Sequence, residues 1–154
     1  MVIERLQDIT TVEKGLIGHC VNCRGAMGSG VAYSLYTKWP IVKEQYLLRG
    51  AGEHLLGFCD TFFVTQDIMI SNVYGQLDFG HDGNRYGVIS ALEKGLISMF
   101  HHANIYSIAN VYLPKLMASN RAGLDWNSQV FPLINKIASN NPDITTIICE
   151  HNIG

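Results

Sequence analysis

The residues of this 154-residue chain that could do chemistry gather in one early stretch. His19, Cys20, Asn22 and Cys23 stand almost side by side, and Gly25, Gly28 and Gly30 follow at once. A histidine with an ordinary pKa can pass a proton to a leaving oxygen or take one from water. An asparagine carboxamide donates and accepts, so it can orient a diol or a water. Gly28 and Gly30 permit positive φ and let a ligand approach the backbone closely. The apolar run from Leu16 to Val21 reads as a buried strand, and the run from Val31 onward as a helix opening. A strand that breaks into a glycine turn and restarts as a helix aims backbone N–H groups at one spot. The positive end of the helix dipole faces the same spot. Gly28, Ser29, Gly30 and Val31 are therefore a candidate anion cradle, most simply for a phosphate. The same spacing also suits an ordinary βα turn in which glycines only permit the bend.

Composition narrows the partners. Eleven Lys and Arg against 13 Asp and Glu give a net charge of −2, so no basic surface advertises nucleic-acid binding. An anion site here must rely on backbone N–H groups and few cations. With 47% hydrophobic and 16% charged residues, the chain reads as one globular domain. No apolar run approaches the roughly 20 residues that span a bilayer. The first residues lack the layout of a signal peptide, so a cytoplasmic monomer is expected. Cys20 and Cys23 form a C-x-x-C pair, a spacing used in redox and zinc sites. No second pair or histidine cluster completes a zinc site, so neither metal nor cofactor is expected. With Cys59 and Cys149, they read as reduced, buried thiols.

The elements that must position these residues follow from periodicity. Val2 to Leu6 alternates like a short edge strand, and Asp8 to Thr11 is a polar turn. Leu16 to Asn22 is the second strand and Val31 to Lys38 the first helix, which Trp39-Pro40 ends. Pro40 then suits the start of a second helix closing at Arg49-Gly50. Phe58 to Thr65 and Asp67 to Val73 read as a hairpin around Gln66-Asp67. Gln76 to Arg85 is a polar loop. A helix spans about Tyr86 to Phe100, and Ser107 to Leu113 is a strand. Pro114 to Leu124 is a loop of small residues. Pro132 is awkward in the last helix, which must start late, near Ser128, or kink. Thr145 to Cys149 is the last strand. Strands alternating with helices predict an α/β fold with a mixed, partly parallel sheet covered on both faces. On such sheets ligands sit outside the carboxyl ends of the strands. The loops at Cys23–Gly30 and Lys115–Gly123 both fit that location, so a ligand gripped from two sides, such as a diphosphate, is expected.

Several short motifs together resemble the macro domain family over nearly the whole chain. They are Asp8-Ile9-Thr10, Val21-Asn22, then Gly28-Ser29-Gly30-Val31-Ala32, Pro114-Lys115-Leu116 and Ala122-Gly123-Leu124-Asp125-Trp126. His19, Asn22, Cys23, Gly25 and Trp39-Pro40 are similar to the pattern of the yeast-type ADP-ribose 1''-phosphate phosphatases. The resemblance implies a three-layer α/β/α macro domain over residues 1–154 that binds ADP-ribose and releases phosphate from ADP-ribose 1''-phosphate. Its alternatives are a hydrolase that removes ADP-ribose from modified protein or nucleic acid, and a reader that binds ADP-ribose without turnover.

The same resemblance implies the site. Asp8 would accept a hydrogen bond from the adenine amino group, beside Ile9; a carboxylate accepts but does not donate, which favours adenine over guanine. Gly28, Ser29, Gly30 and Val31 would lie along the diphosphate and distal ribose. Ser119, Asn120, Arg121, Ala122 and Gly123 would wrap the other side. Here Ala118-Ser119-Asn120 replaces the family's Gly-x-Gly, and Arg121 could pair with a phosphate. Asn22 would meet the distal ribose, and His19 would be the acid or base. The two side chains can share a face only if the strand bends near Val21. Asn72 to Gln76 would form the far wall of the ribose pocket. Relatives that cleave ADP-ribosyl esters carry a lysine in that wall and an aspartate in the second loop, where this chain has Asn72 and Ala122; asparagine cannot replace an attacking amine. Asp78, His81 and Asp82 are further acid–base candidates, and His151 or Asn152 would stand by the adenine.

Overall fold

The computed structural model describes residues 1–28, 30–78, 86–116 and 122–150. Six strands form one sheet: β1 (Val2–Leu6), β2 (Gly15–Asn22), β3 (Cys59–Phe63), β4 (Ile68–Gln76), β5 (Asn110–Leu113) and β6 (Thr145–Glu150). Their order is β1-β6-β5-β2-β4-β3. All pairs are parallel except β3 against β4, so the sheet is mixed. Among the described residues the α-helices are α1 (Gly30–Lys38), α2 (Ile41–Arg49), α3 (Ile89–Ile105) and α4 (Phe131–Ser139).

The helices cover both faces. On one side Leu35 of α1 and Val42 and Tyr46 of α2 pack on Ile17, Val21, Ile70 and Ile147. On the other, Leu92, Leu96 and Met99 of α3 and Ile134 of α4 pack on Leu16, Val73, Val111 and Ile148. Alternation along β2 produces this division, since Leu16 and Ile17 face opposite layers. Chain connections leave β2 and β5 toward opposite faces, and it is at such a switch point that open α/β sheets have their ligand crevice. The turn after β1 and the loop after β4 reach the same edge.

Several boundaries differ from the sequence reading, among them the end of β4, which runs on to Gln76. α3 starts at Ile89 because Tyr86 to Val88 pair back onto the end of β4: Leu77 N–H donates to Tyr86 O and Val88 N–H to Gly75 O. It runs on to Ile105, keeping Ala103 in the core. β5 starts only at Asn110, because Ser107, at φ 54°, and Ile108 close the helix. Pro132 causes no kink: a π-helical turn over Trp126–Val130 leads into α4, and the proline stands in its first turn, where its missing N–H has no helical partner.

Candidate functional site at the carboxyl edge of the sheet

The site is built from the ends of parallel strands. β2 pairs with β4 in regular register from Gly15 to Val21, then slips between Val21 and Asn22. This irregularity is the bend needed to bring His19 and Asn22 to the same side of the sheet. His19 lies between Ile17 and Val21 on the α1–α2 side, and Asn22 meets Tyr46 of α2.

They do not meet at the crevice. His19 is 1% exposed. Its Nε2 lies 2.6 Å from Asn72 Oδ1, and Asn72 Nδ2 donates to Val42 O of α2. Nδ1 is buried without a hydrogen-bond partner. Burial lowers the His19 pKa to about 4 against a smaller opposing effect of Asn72, so the imidazole is neutral at pH 7. The expectation that His19 is an acid or base at the ribose is therefore corrected: it sits under α2, out of reach of solvent. The expected far wall is corrected in the same way. Asn72 to Tyr74 are buried, and the partly exposed surface begins at Gln76. Cys20 belongs to the α3–α4 side and Cys23 to the α1–α2 side, so the C-x-x-C pair straddles the sheet and all four cysteines are free.

Asn22 does stand at the edge, and its carboxamide braces the loop. Nδ2 donates to Ala26 O at 2.7 Å, and Oδ1 accepts from Arg24 N–H at 2.9 Å and from Tyr46 Oη at 2.8 Å. The loop then reaches α1 through Gly28, whose added Cβ would meet nothing within 4 Å. Gly30 opens α1 at φ +63°, exposed, and its Cβ would also enter open space. Solvent-facing backbone at the start of a nine-residue helix suits an anion. Val31 is half-buried behind it. Arg24 Nε pairs with Asp78 Oδ2 at 3.0 Å, and Cys23 N–H donates to Gln76 O, so the loops after β2 and β4 are joined.

The other end of the crevice starts at Asp8. Its carboxylate caps the 3-10 turn Ile9–Thr11, accepting from Thr10 N–H at 2.9 Å and Thr10 Oγ1 at 2.7 Å. Ile9 is buried beneath. Lys38 at the end of α1 donates to Thr10 O, tying the turn to the helix that carries Gly30. After β5, Lys115 pairs with Glu150 at 3.0 Å across the ends of β5 and β6. Ala122 is buried among the α3–α4 core residues and its carbonyl accepts from Gly87 N–H; Gly123 follows at φ +69°. Ser29, Ser119, Asn120, Arg121 and Asn152 lie outside the described residues, as do His81, Asp82 and His151. Among the described residues no group of three His, Cys, Asp or Glu could hold a metal ion, and no helix is long and apolar enough to cross a membrane.

Sequence reasoning missed Tyr46 and the Lys115–Glu150 pair. Tyr46 is 24 positions from Asn22 and reads as one more apolar residue of α2. Its only signal was a hydroxyl at a position that α2 needs only for packing.

No protein-family model matches the sequence, and the search of curated proteins gives no match. Solved structures do match. The macrodomain of Mycobacterium tuberculosis DarG aligns with a TM-score of 0.81 at 22% identity, covering 97% of each chain. The macrodomain protein from Streptomyces coelicolor aligns at 0.76 and 23%, covering 97% of this chain and 99% of that one. The Trypanosoma brucei macrodomain, solved in complex with ADP-ribose, aligns at 0.69 and 14%, covering 96% of this chain and 63% of that one. This mixed six-stranded sheet between two helical layers is thus the macrodomain fold.

Proposed function

We propose that this protein binds ADP-ribose along the carboxyl edge of its sheet. The adenine would lie at the Asp8 turn, the diphosphate across Gly28 to Val31, and the distal ribose beside the loop that Asn22 braces. The observation that carries this reading is the opening of α1. Gly30 presents exposed backbone at φ +63° with open space where a side chain would stand. A chain of net charge −2 can hold a diphosphate there through backbone N–H groups. Lys38, at the far end of α1 from Gly30, donates to Thr10 O in the turn that Asp8 caps, so one helix contacts both ends of the proposed ligand path. The Trypanosoma brucei macrodomain, which shares this fold and was solved in complex with ADP-ribose, supports the choice of ligand.

The proposed reaction is hydrolysis of ADP-ribose 1''-phosphate. Water adds to phosphorus, the bond from phosphorus to the ribose oxygen breaks, and that oxygen takes up a proton. Free ADP-ribose and inorganic phosphate result. A buried neutral His19 does not supply that proton. Asn22 would orient the substrate through the loop it shapes. An attacking amine is not available at Asn72, which is buried against His19, so a covalent lysine route is not part of the reading.

Incubation of the purified protein with ADP-ribose 1''-phosphate, and separately with ADP-ribosylated protein and oligonucleotide, tests the reaction. Phosphate release is the expected result. Free ADP-ribose from a modified target would replace it with de-ADP-ribosylation. Binding without either product would make the protein a reader.

A further inference from the structure

Tyr46 and Tyr74 are both 0% exposed, and their rings stack with centroids 5.8 Å apart. Packing alone would be served as well by two phenylalanines. The hydroxyls differ. Tyr74 Oη is buried with no hydrogen-bond partner. Tyr46 Oη lies 2.7 Å from Asn22 O and 2.8 Å from Asn22 Oδ1, and donates to them. Asn22 in turn holds Arg24 N–H and Ala26 O. The turn from Asn22 to Ala26 is therefore tied through Asn22 to one buried phenol oxygen. Burial pushes that phenol up to about 12, so it stays a neutral donor at working pH. A hub of this kind is costly to remove, because each partner is left in a poorly solvated place.

We propose that the Tyr46 hydroxyl is a positioning group that holds the β2-to-α1 loop in the shape receiving the diphosphate and distal ribose. It touches no ligand and acts through Asn22, whose carboxamide holds Arg24 N–H and Ala26 O. The proposal rests on the ADP-ribose reading for the ligand, while the loop geometry stands on the contacts above. It also accounts for the shared chemistry of a core helix and a surface loop: α2 reports its packing to the site through one oxygen.

Tyr46→Phe keeps the ring stack and removes only the hydroxyl; Tyr74→Phe is its control. Amide hydrogen exchange in the unliganded full chain should rise about tenfold at Arg24 to Ala26 in Tyr46→Phe, as for loss of one net hydrogen bond. ADP-ribose affinity should fall about tenfold, while AMP, which lacks the distal ribose, is held within about twofold. Tyr74→Phe should change none of these. Unchanged exchange in Tyr46→Phe, an unchanged ratio of ADP-ribose to AMP affinity, or an equal response in Tyr74→Phe would overturn the proposal. Should Tyr46→Phe fail to fold, Asn22→Ala removes the side-chain acceptor of the Tyr46 hydroxyl, together with the bonds to Arg24 N–H and Ala26 O, and must raise the same exchange; if it does not, the proposal fails. If the unaltered protein binds no ADP-ribose, the functional reading falls, and the exchange data still decide the role of Tyr46 in the loop.

Discussion

The two faces of the sheet are packed by different chemistry. Between the sheet and α3–α4, contact is aliphatic and aromatic, from Leu92 and Leu96 to Val111 and Ile148. Its buried polar groups are hydroxyls: Thr146, and Ser71, tied through Thr61 to His102 at the β3 edge. Between the sheet and α1–α2 lie an imidazole, two carboxamides and two phenols: His19, Asn72, Asn22, Tyr46 and Tyr74. Apolar contact is tolerant of small displacements, whereas hydrogen bonds in a core fix direction as well as distance. Both faces bury apolar side chains, and the α1–α2 face in addition ties the loop after β2 through hydrogen bonds.

Substitutions can break this contrast. The largest effect is expected on the aliphatic face. Leu96→Ala should cost about 3 kcal/mol of folding stability, the usual size for a fully buried leucine, while the folded fraction keeps its ADP-ribose affinity. Denaturant titration checks the first part and calorimetry the second. An effect of similar size is expected from His19, but only in acid. Its folded pKa of about 4 lies below the unfolded value of 6.5, so the unfolded chain binds the extra proton. That stability is complete above pH 6.5 and is lost as pH falls toward 4, by about 3 kcal/mol. Unfolding of wild type and His19→Gln across that window should show the loss in the first and not in the second. Phosphate release near pH 7 should stay within a few fold in His19→Gln, since a buried neutral ring takes no proton from substrate.

Smaller changes sharpen the contrast at the site. Asp8→Ala should weaken ADP-ribose binding by about 2 kcal/mol, as for loss of a charged hydrogen-bond partner. It should also cost about 1 kcal/mol of stability, because Asp8 caps the turn at Thr10. Affinity unchanged by calorimetry would remove Asp8 from the site. Tyr74→Phe, at the small end, should leave stability within about 0.5 kcal/mol, since its hydroxyl makes no bond that is lost.

Much of the scaffold was legible in the sequence because it follows from local rules. The apolar run at Leu16 to Val21, the stop at Trp39-Pro40 and the hairpin before Ile68 are each set by a few neighbouring residues. The strand irregularity at Asn22 could be stated as a condition but not deduced, because it depends on register with β4. His19 was misread for a related reason. Its type and spacing suit catalysis, yet its fate is decided by Asn72, 53 positions away, and by the helix laid over both. Tyr46 was invisible because nothing local distinguishes a packing tyrosine from a positioning one. Residues whose task depends on long-range partners are where reading along the chain runs out.

The cradle proposed for the diphosphate of ADP-ribose at the opening of α1 is tested by calorimetric titration of ADP-ribose into the unaltered protein and into Gly30→Glu. The unaltered protein should bind one ADP-ribose per chain. The folded variant should lose at least about a hundredfold in affinity, because the glutamate side chain and its charge enter the phosphate space and φ +63° resists a Cβ. Absence of binding to the unaltered protein, or equal affinity in the variant, would contradict the proposed cradle.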